Sequence, residues 1–197
     1  MKACRCLVFI LTILWEPVFV VHFTHGAELY HGRVVDEETG QPLTGAVLTV
    51  VWFRSPIFGL EGTRDFQSAQ ETVADSDGKF SLVVSPGSNW NPFSYSRQEP
   101  TIVIYQPGYE PTWAGWMVRN KFNSSTDLAE ALKKGATIKL PKLKTKDELI
   151  KFTNLSSLTH VVVPHESVPK LVRVVNVQNK MAGLKPYPEP PEGGQKP

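Results

Sequence analysis

Residues 31–53 read HGRVVDEETGQPLTGAVLTVVWF, and this stretch decides the fold. A polar cluster, Asp36 to Gly40, separates two runs of opposite character, and Gln41-Pro42-Leu43-Thr44-Gly45 prolongs the turn. Before it, Glu28 to Val35 alternates as a strand with one buried face does. After it, Ala46 to Phe53 is almost continuously apolar and rich in Val, Thr and aromatic residues, the composition of a buried strand. Two strands so close, each bounded by turn residues, argue against a helical chain.

Outward from this pair the same punctuation recurs. Gln70 to Ala74 and Lys79 to Ser85 flank Asp75-Ser76-Asp77-Gly78, which predicts a hairpin. Thr101 to Gln106 is a strand closed by Pro107-Gly108, Thr112 to Arg119 reads as another, and Ala136 to Leu140 as the last, ended by Pro141. Between the final two, Ser125 to Lys134 changes to helical spacing, with Asp127 and Glu130 resembling a capping box and Gly135 as the stop. Seven short strands separated by turns predict a mainly β chain: a seven-stranded antiparallel Greek-key sandwich with short C-terminal helices.

The rest of the chain frames this body. Lys2 and Arg5 precede an apolar run from Leu7 to Trp15, which resumes from Val18 to Phe23 after Glu16-Pro17. A basic start, an apolar middle and small residues after it read as a secretory signal over residues 1–26, cut near Gly26 or Ala27. The alternative is an uncleaved N-terminal anchor, against which stand the short span and its internal charge and proline. The body, residues 27–143, holds none of the chain's 2 cysteines, Cys4 and Cys6, so disulfides and a Cys-based zinc site are excluded from it. Thr145-Lys146-Asp147-Glu148 forms a capping box that predicts a helix from Lys146 to about Ser156. A second helix is expected within Pro164 to Gly183, with two apolar stripes; the helices are expected to pack in cis across the body, the alternative being that their two-sided apolar surface docks a partner. Residues 144–184 are thus a helical extension, and the Pro-rich residues 185–197 a disordered tail.

The order His31-Gly32-Arg33-Val34-Val35-Asp36, Thr39-Gly40-Gln41-Pro42-Leu43-Thr44-Gly45-Ala46-Val47, Asp75-Ser76-Asp77-Gly78-Lys79-Phe80-Ser81-Leu82 and Pro107-Gly108-Tyr109-Glu110 resembles the carboxypeptidase regulatory-like domain, within the transthyretin-like or prealbumin-like sandwiches. The resemblance spans about Glu28 to Leu143. It implies a folding, spacer or binding accessory with no peptidase activity of its own.

The residues supply no competing chemistry. His165-Glu166 has Pro169 where a second helical His would stand, and His160 lies five positions away from His165, wrong for one helical face, so no metalloprotease motif forms. No G-x-S-x-G occurs. The transthyretin-like hydrolases of purine degradation end in Tyr-Arg-Gly-Ser, and this chain ends Gly193-Gly194-Gln195-Lys196-Pro197. No enzyme activity and no cofactor are expected. Asp75 and Asp77 are the candidate calcium ligands, although a calcium cage needs six or more oxygens and such a pair more often forms a turn.

One loop holds candidate binding residues. Trp90, Phe93 and Tyr95 stand among Asn and Ser from Ser88 to Arg97, and Trp113 and Trp116 extend the set, a composition suited to stacking on a sugar or peptide. The preferred reading is that these rings plug the open end of the body. Asn123-Ser124-Ser125 and Asn154-Leu155-Ser156 match the N-glycosylation pattern. The net charge of +2, or +1 without the first 26 residues, makes no field for nucleic acid or an anionic membrane. The expectation is an exported structural or interaction module, periplasmic or extracellular, whose partner is an envelope protein or a glycan.

Overall fold

A computed structural model describes residues 27–56, 65–85, 94–95, 100–159 and 162–189. The signal-like segment, Trp90, Phe93 and His160 lie outside the described residues. Strands are β1 (Glu28–Asp36), β2 (Val47–Pro56), β3 (Asp65–Val73), β4 (Lys79–Val84), β5 (Ser94–Tyr95), β6 (Thr101–Tyr105) and β7 (Ala136–Leu140). Helices are α1 (Ala114–Arg119), α2 (Ser125–Lys133), α3 (Lys146–Lys151), α4 (Leu155–Thr159) and α5 (Pro169–Ala182), with one 3-10 turn at His165–Ser167. Helix and strand hold about equal shares, so the expected mainly β chain is corrected to a mixed one.

The strands form two sheets. In the first, β1 lies between β4, antiparallel, and β7, parallel. In the second, β2 is flanked on one side by β3 and on the other by β6 and the short β5, all antiparallel. The all-antiparallel expectation therefore fails at β7. The connection between the parallel partners β1 and β7 takes in the second sheet and α2, far longer than the crossover parallel pairing requires. The predicted hairpin is also corrected. Its two arms belong to different sheets, β3 pairing with β2 and β4 with β1, so Asp75–Gly78 is a corner between sheets.

Both faces of β2 are buried, which is why its sequence shows an apolar run in place of alternation. Leu48, Val50 and Trp52 join Ile102 and Ile104 of β6 in one apolar cluster with Tyr30, Val34, Phe80, Val84, Ile138 and Leu140 of the first sheet. Leu128 and Leu132 of α2 and Trp116 of α1 complete it. The other face gives Val51 and Phe53, with Val103 and Tyr105 of β6, to a second cluster filled by Phe152, Leu155, Leu158, Leu171, Val172 and Val175. The C-terminal helices thus pack in cis on the outer side of the second sheet.

The helices follow their local signals with shifted ends. The predicted strand Thr112 to Arg119 is α1: Trp113, Trp116 and Met117 recur at helical spacing, which the alternating reading missed. Helix α2 is capped by Ser124, whose hydroxyl accepts from the Asp127 N–H at 3.2 Å; Glu130 instead pairs with Lys133 at 2.7 Å. Helix α3 has the expected box, Glu148 N–H to Thr145 Oγ1 at 3.2 Å and Thr145 N–H to Glu148 Oε2 at 2.9 Å. It stops at Lys151, and α4 restarts with Asn154 Oδ1 accepting from the Ser157 N–H at 3.2 Å. Helix α5 begins at Pro169, five residues later than expected, and ends on left-handed Gly183 (φ 74°). The tail does not lose its structure at Lys185. Tyr187 N–H donates to Asn176 Oδ1 at 2.7 Å, Asn176 Nδ2 returns a bond to the Tyr187 carbonyl at 3.0 Å, and the Tyr187 hydroxyl reaches the Thr153 carbonyl at 3.1 Å.

Candidate functional site

The stretches that carry the family resemblance meet in space. At the end of β1, Asp36 Oδ1 accepts from the N–H groups of Glu38 and Thr39, both at 2.8 Å, while Oδ2 accepts from the Tyr109 hydroxyl at 3.0 Å. The Thr39 N–H, followed by Tyr109 and Glu38, holds this carboxyl below the usual aspartate range despite its partial burial. Burial and the adjacent carboxylate push the Tyr109 hydroxyl upward. The pair is thus an ionised acceptor and a protonated donor, an arrangement that clamps the β1 turn to the segment after β6. Around it, Leu43 N–H donates to the Val34 carbonyl at 3.0 Å, Val34 N–H to the Gly78 carbonyl at 2.8 Å, and Gly45 N–H to the Ala74 carbonyl at 3.0 Å. The four stretches are one hydrogen-bonded unit, and each polar group in these bonds is occupied by backbone or by the clamp.

The calcium candidates serve the same unit. Asp75 Oδ1 accepts from the N–H groups of Asp77 and Lys79 at 2.9 and 2.8 Å, and Asp77 pairs with the Lys79 ammonium at 3.2 Å. They act as turn formers. Among the described residues no group of three or more His, Cys, Asp or Glu side chains converges to hold a metal ion. His165 packs edge-on against Tyr187, with ring centroids 5.1 Å apart.

Of the five aromatic candidates, Trp90 and Phe93 lie outside the described residues, and Tyr95 is placed by its backbone in β5. Trp116 is corrected from binding to packing, while Trp113 is half-buried beside it. Trp116 is buried, donates Nε1–H to the Lys139 carbonyl at 3.0 Å and stacks on Phe122 with centroids 5.7 Å apart. Trp113 donates Nε1–H to Glu110 Oε1 at 2.5 Å, meets Phe152 edge-on at 5.5 Å and carries the Lys151 ammonium 4.4 Å from its ring centroid. Glu110 also pairs with Arg119. A ligand stacking on that ring face would have to displace Lys151.

Glu71 was missed by sequence reading. It projects from β3, half-buried, and its carboxylate accepts from Thr49 Oγ1 at 3.0 Å and from the N–H groups of Lys170 and Leu171 at 2.8 and 2.9 Å. The Lys170 ammonium returns to the Glu71 carbonyl at 3.1 Å. Burial outweighs these bonds and raises the carboxyl above its ordinary range. This is an N-terminal cap for α5 delivered from about 100 residues away. The legible signal lies at the helix. Pro169 opens it with Val168 before it, and no Ser, Thr, Asp or Asn stands there to satisfy the free N–H groups.

No family model matches the chain, and no curated protein matches it. Among solved structures, a crystal structure of a 9R-lipoxygenase from Cyanothece PCC8801 is similar over 44% of this chain, at 17% identity and a TM-score of 0.28. The match spans 12% of that chain and carries no argument about fold or activity.

Proposed function

We propose that the chain is a non-catalytic, exported module of the cell envelope, structural or interaction-bearing, whose body is a Greek-key sandwich resembling the carboxypeptidase regulatory-like domain. The observation that carries this reading is the convergence of the four stretches through Asp36, Tyr109 and the Asp75–Gly78 corner. Their polar groups hold backbone and one another, which is the work of a scaffold. The apolar cluster drawing on both sheets supports the layered architecture.

Export and an envelope partner rest on the N-terminal sequence and the cysteine-free body. Glycan-array binding of the wild-type chain and a Trp90→Ala variant tests the reading. Absence of selective glycan binding is the expected result. Selective binding that Trp90→Ala abolishes would replace the scaffold reading with that of a carbohydrate-binding module built on the loop around Trp90.

A further inference from the structure

The small net charge of the chain conceals a segregation. Residues 27–138 carry 9 Lys and Arg against 13 Asp and Glu, whereas residues 139–185 carry 9 against 3. No acidic residue lies between Ser167 and Pro188. Four of these nine, Lys146, Lys170, Lys180 and Lys185, lie on one face. The inner side of α5 is buried against the second sheet, and its exposed side presents Val177, Lys180 and Met181, continued by Leu184 and Lys185, with Lys170 at its start holding the Glu71 carbonyl at 3.1 Å. Helix α3 adjoins its C-terminal half, where Gln178 Nε2 donates to the Leu149 carbonyl at 2.9 Å, and α3 adds Lys146 and Ile150 to the exposed surface, with Asp147 exposed beside them.

Four large apolar side chains stand in water here. Met181 is 53% exposed, Val177 48%, Leu184 39% and Ile150 38%. Apolar residues lying among lysines on an otherwise folded helix match the boundary of a bilayer, where headgroups take the ammonium groups and the acyl region takes shallow side chains.

We propose that the exposed face of α5, with the adjoining end of α3, is a landing surface for an anionic phospholipid bilayer. An acidic protein would also attract the lysines. The side chains between them favour lipid, because they are individually placed and shallow.

Met181 supplies the probe, since thioether oxidation to the sulfoxide follows exposure. The full chain is mixed with vesicles of phosphatidylcholine alone or with added phosphatidylglycerol, treated with dilute peroxide and read by mass spectrometry, with Met117 as the internal reference. Both lipids hold an apolar N-terminal segment alike, so the ratio of Met181 rates isolates the α5 face. The expected result is slower Met181 oxidation on the anionic vesicles, reversed by high salt, with Met117 unchanged. Lys180→Gln with Lys185→Gln should weaken binding at least about tenfold. The same change at Lys121 and Lys134 should leave it intact, and both variants should keep the wild-type unfolding midpoint. Equal Met181 rates on the two vesicles would overturn the proposal. Equal protection by soluble polyglutamate would also overturn it, in favour of an acidic protein partner.

Discussion

Two carboxylates of opposite tendency contribute to the pH behaviour of the chain. Glu71 has a folded-state pKa raised above its ordinary 4.5, so its contribution to stability is full below that value and declines as pH rises through the folded pKa. Asp36 has a lowered pKa, so its contribution is full above the ordinary 3.8 and is lost as pH falls through the folded value. Chemical unfolding at a series of pH values should show Glu71→Gln removing the decline on the upper side of pH 4.5 and Asp36→Asn flattening the acid limb. Glu71→Ala goes further, because it strands two backbone N–H groups and the Thr49 hydroxyl; a loss of about 2 kcal/mol is expected. Gly78 is constrained in another way. It sits at φ 72°, and a Cβ there would stand 2.4 Å from the Val34 carbonyl oxygen. Gly78→Ala should cost about 2–3 kcal/mol in the same unfolding assay.

At the scale of elements, α5 is held by packing more than by its own propensity, since its β-branched content is high. Leu171 is fully buried against the second sheet, and Leu171→Ala should lower the unfolding free energy by about 3 kcal/mol and quicken hydrogen exchange along α5 before it affects β1. What was legible in the sequence follows the same division between local and distant causes. The ends of β1, β6 and β7, the start of β2, the box at Thr145 and the Gly183 stop are set by neighbouring residues and could be read, whereas β2 runs on past Phe53 to Pro56. The partner of β4 could not, because Asp75–Gly78 reads alike as a hairpin turn or as a corner between sheets. Nor could the parallel seating of β7 beside β1, which needs a crossover of known direction. In α1, Gly115 and Val118 break the helical stripe that Trp113, Trp116 and Met117 carry. Of the candidate site, the turn roles of Asp75 and Gly78 were readable, while the Asp36–Tyr109 pair joins residues 73 positions apart and left no local trace.

For the whole molecule, the second sheet is the shared wall of two apolar clusters, one formed with the first sheet and the other with the C-terminal helices. The body that sequence reading ends at Leu143 therefore lacks the cover over Val51, Phe53, Val103 and Tyr105. A chain stopped after Leu143 should bind hydrophobic dyes and aggregate at concentrations where the full chain stays monodisperse, as light scattering would report. The cap that Glu71 provides also imposes an order in time. A ribosome has delivered β3 about 100 residues before Lys170 and Leu171 emerge to meet it, so the nascent chain trails an unclosed apolar wall through most of its synthesis. The outer side of the second sheet can be covered only after the last quarter of the chain has been made.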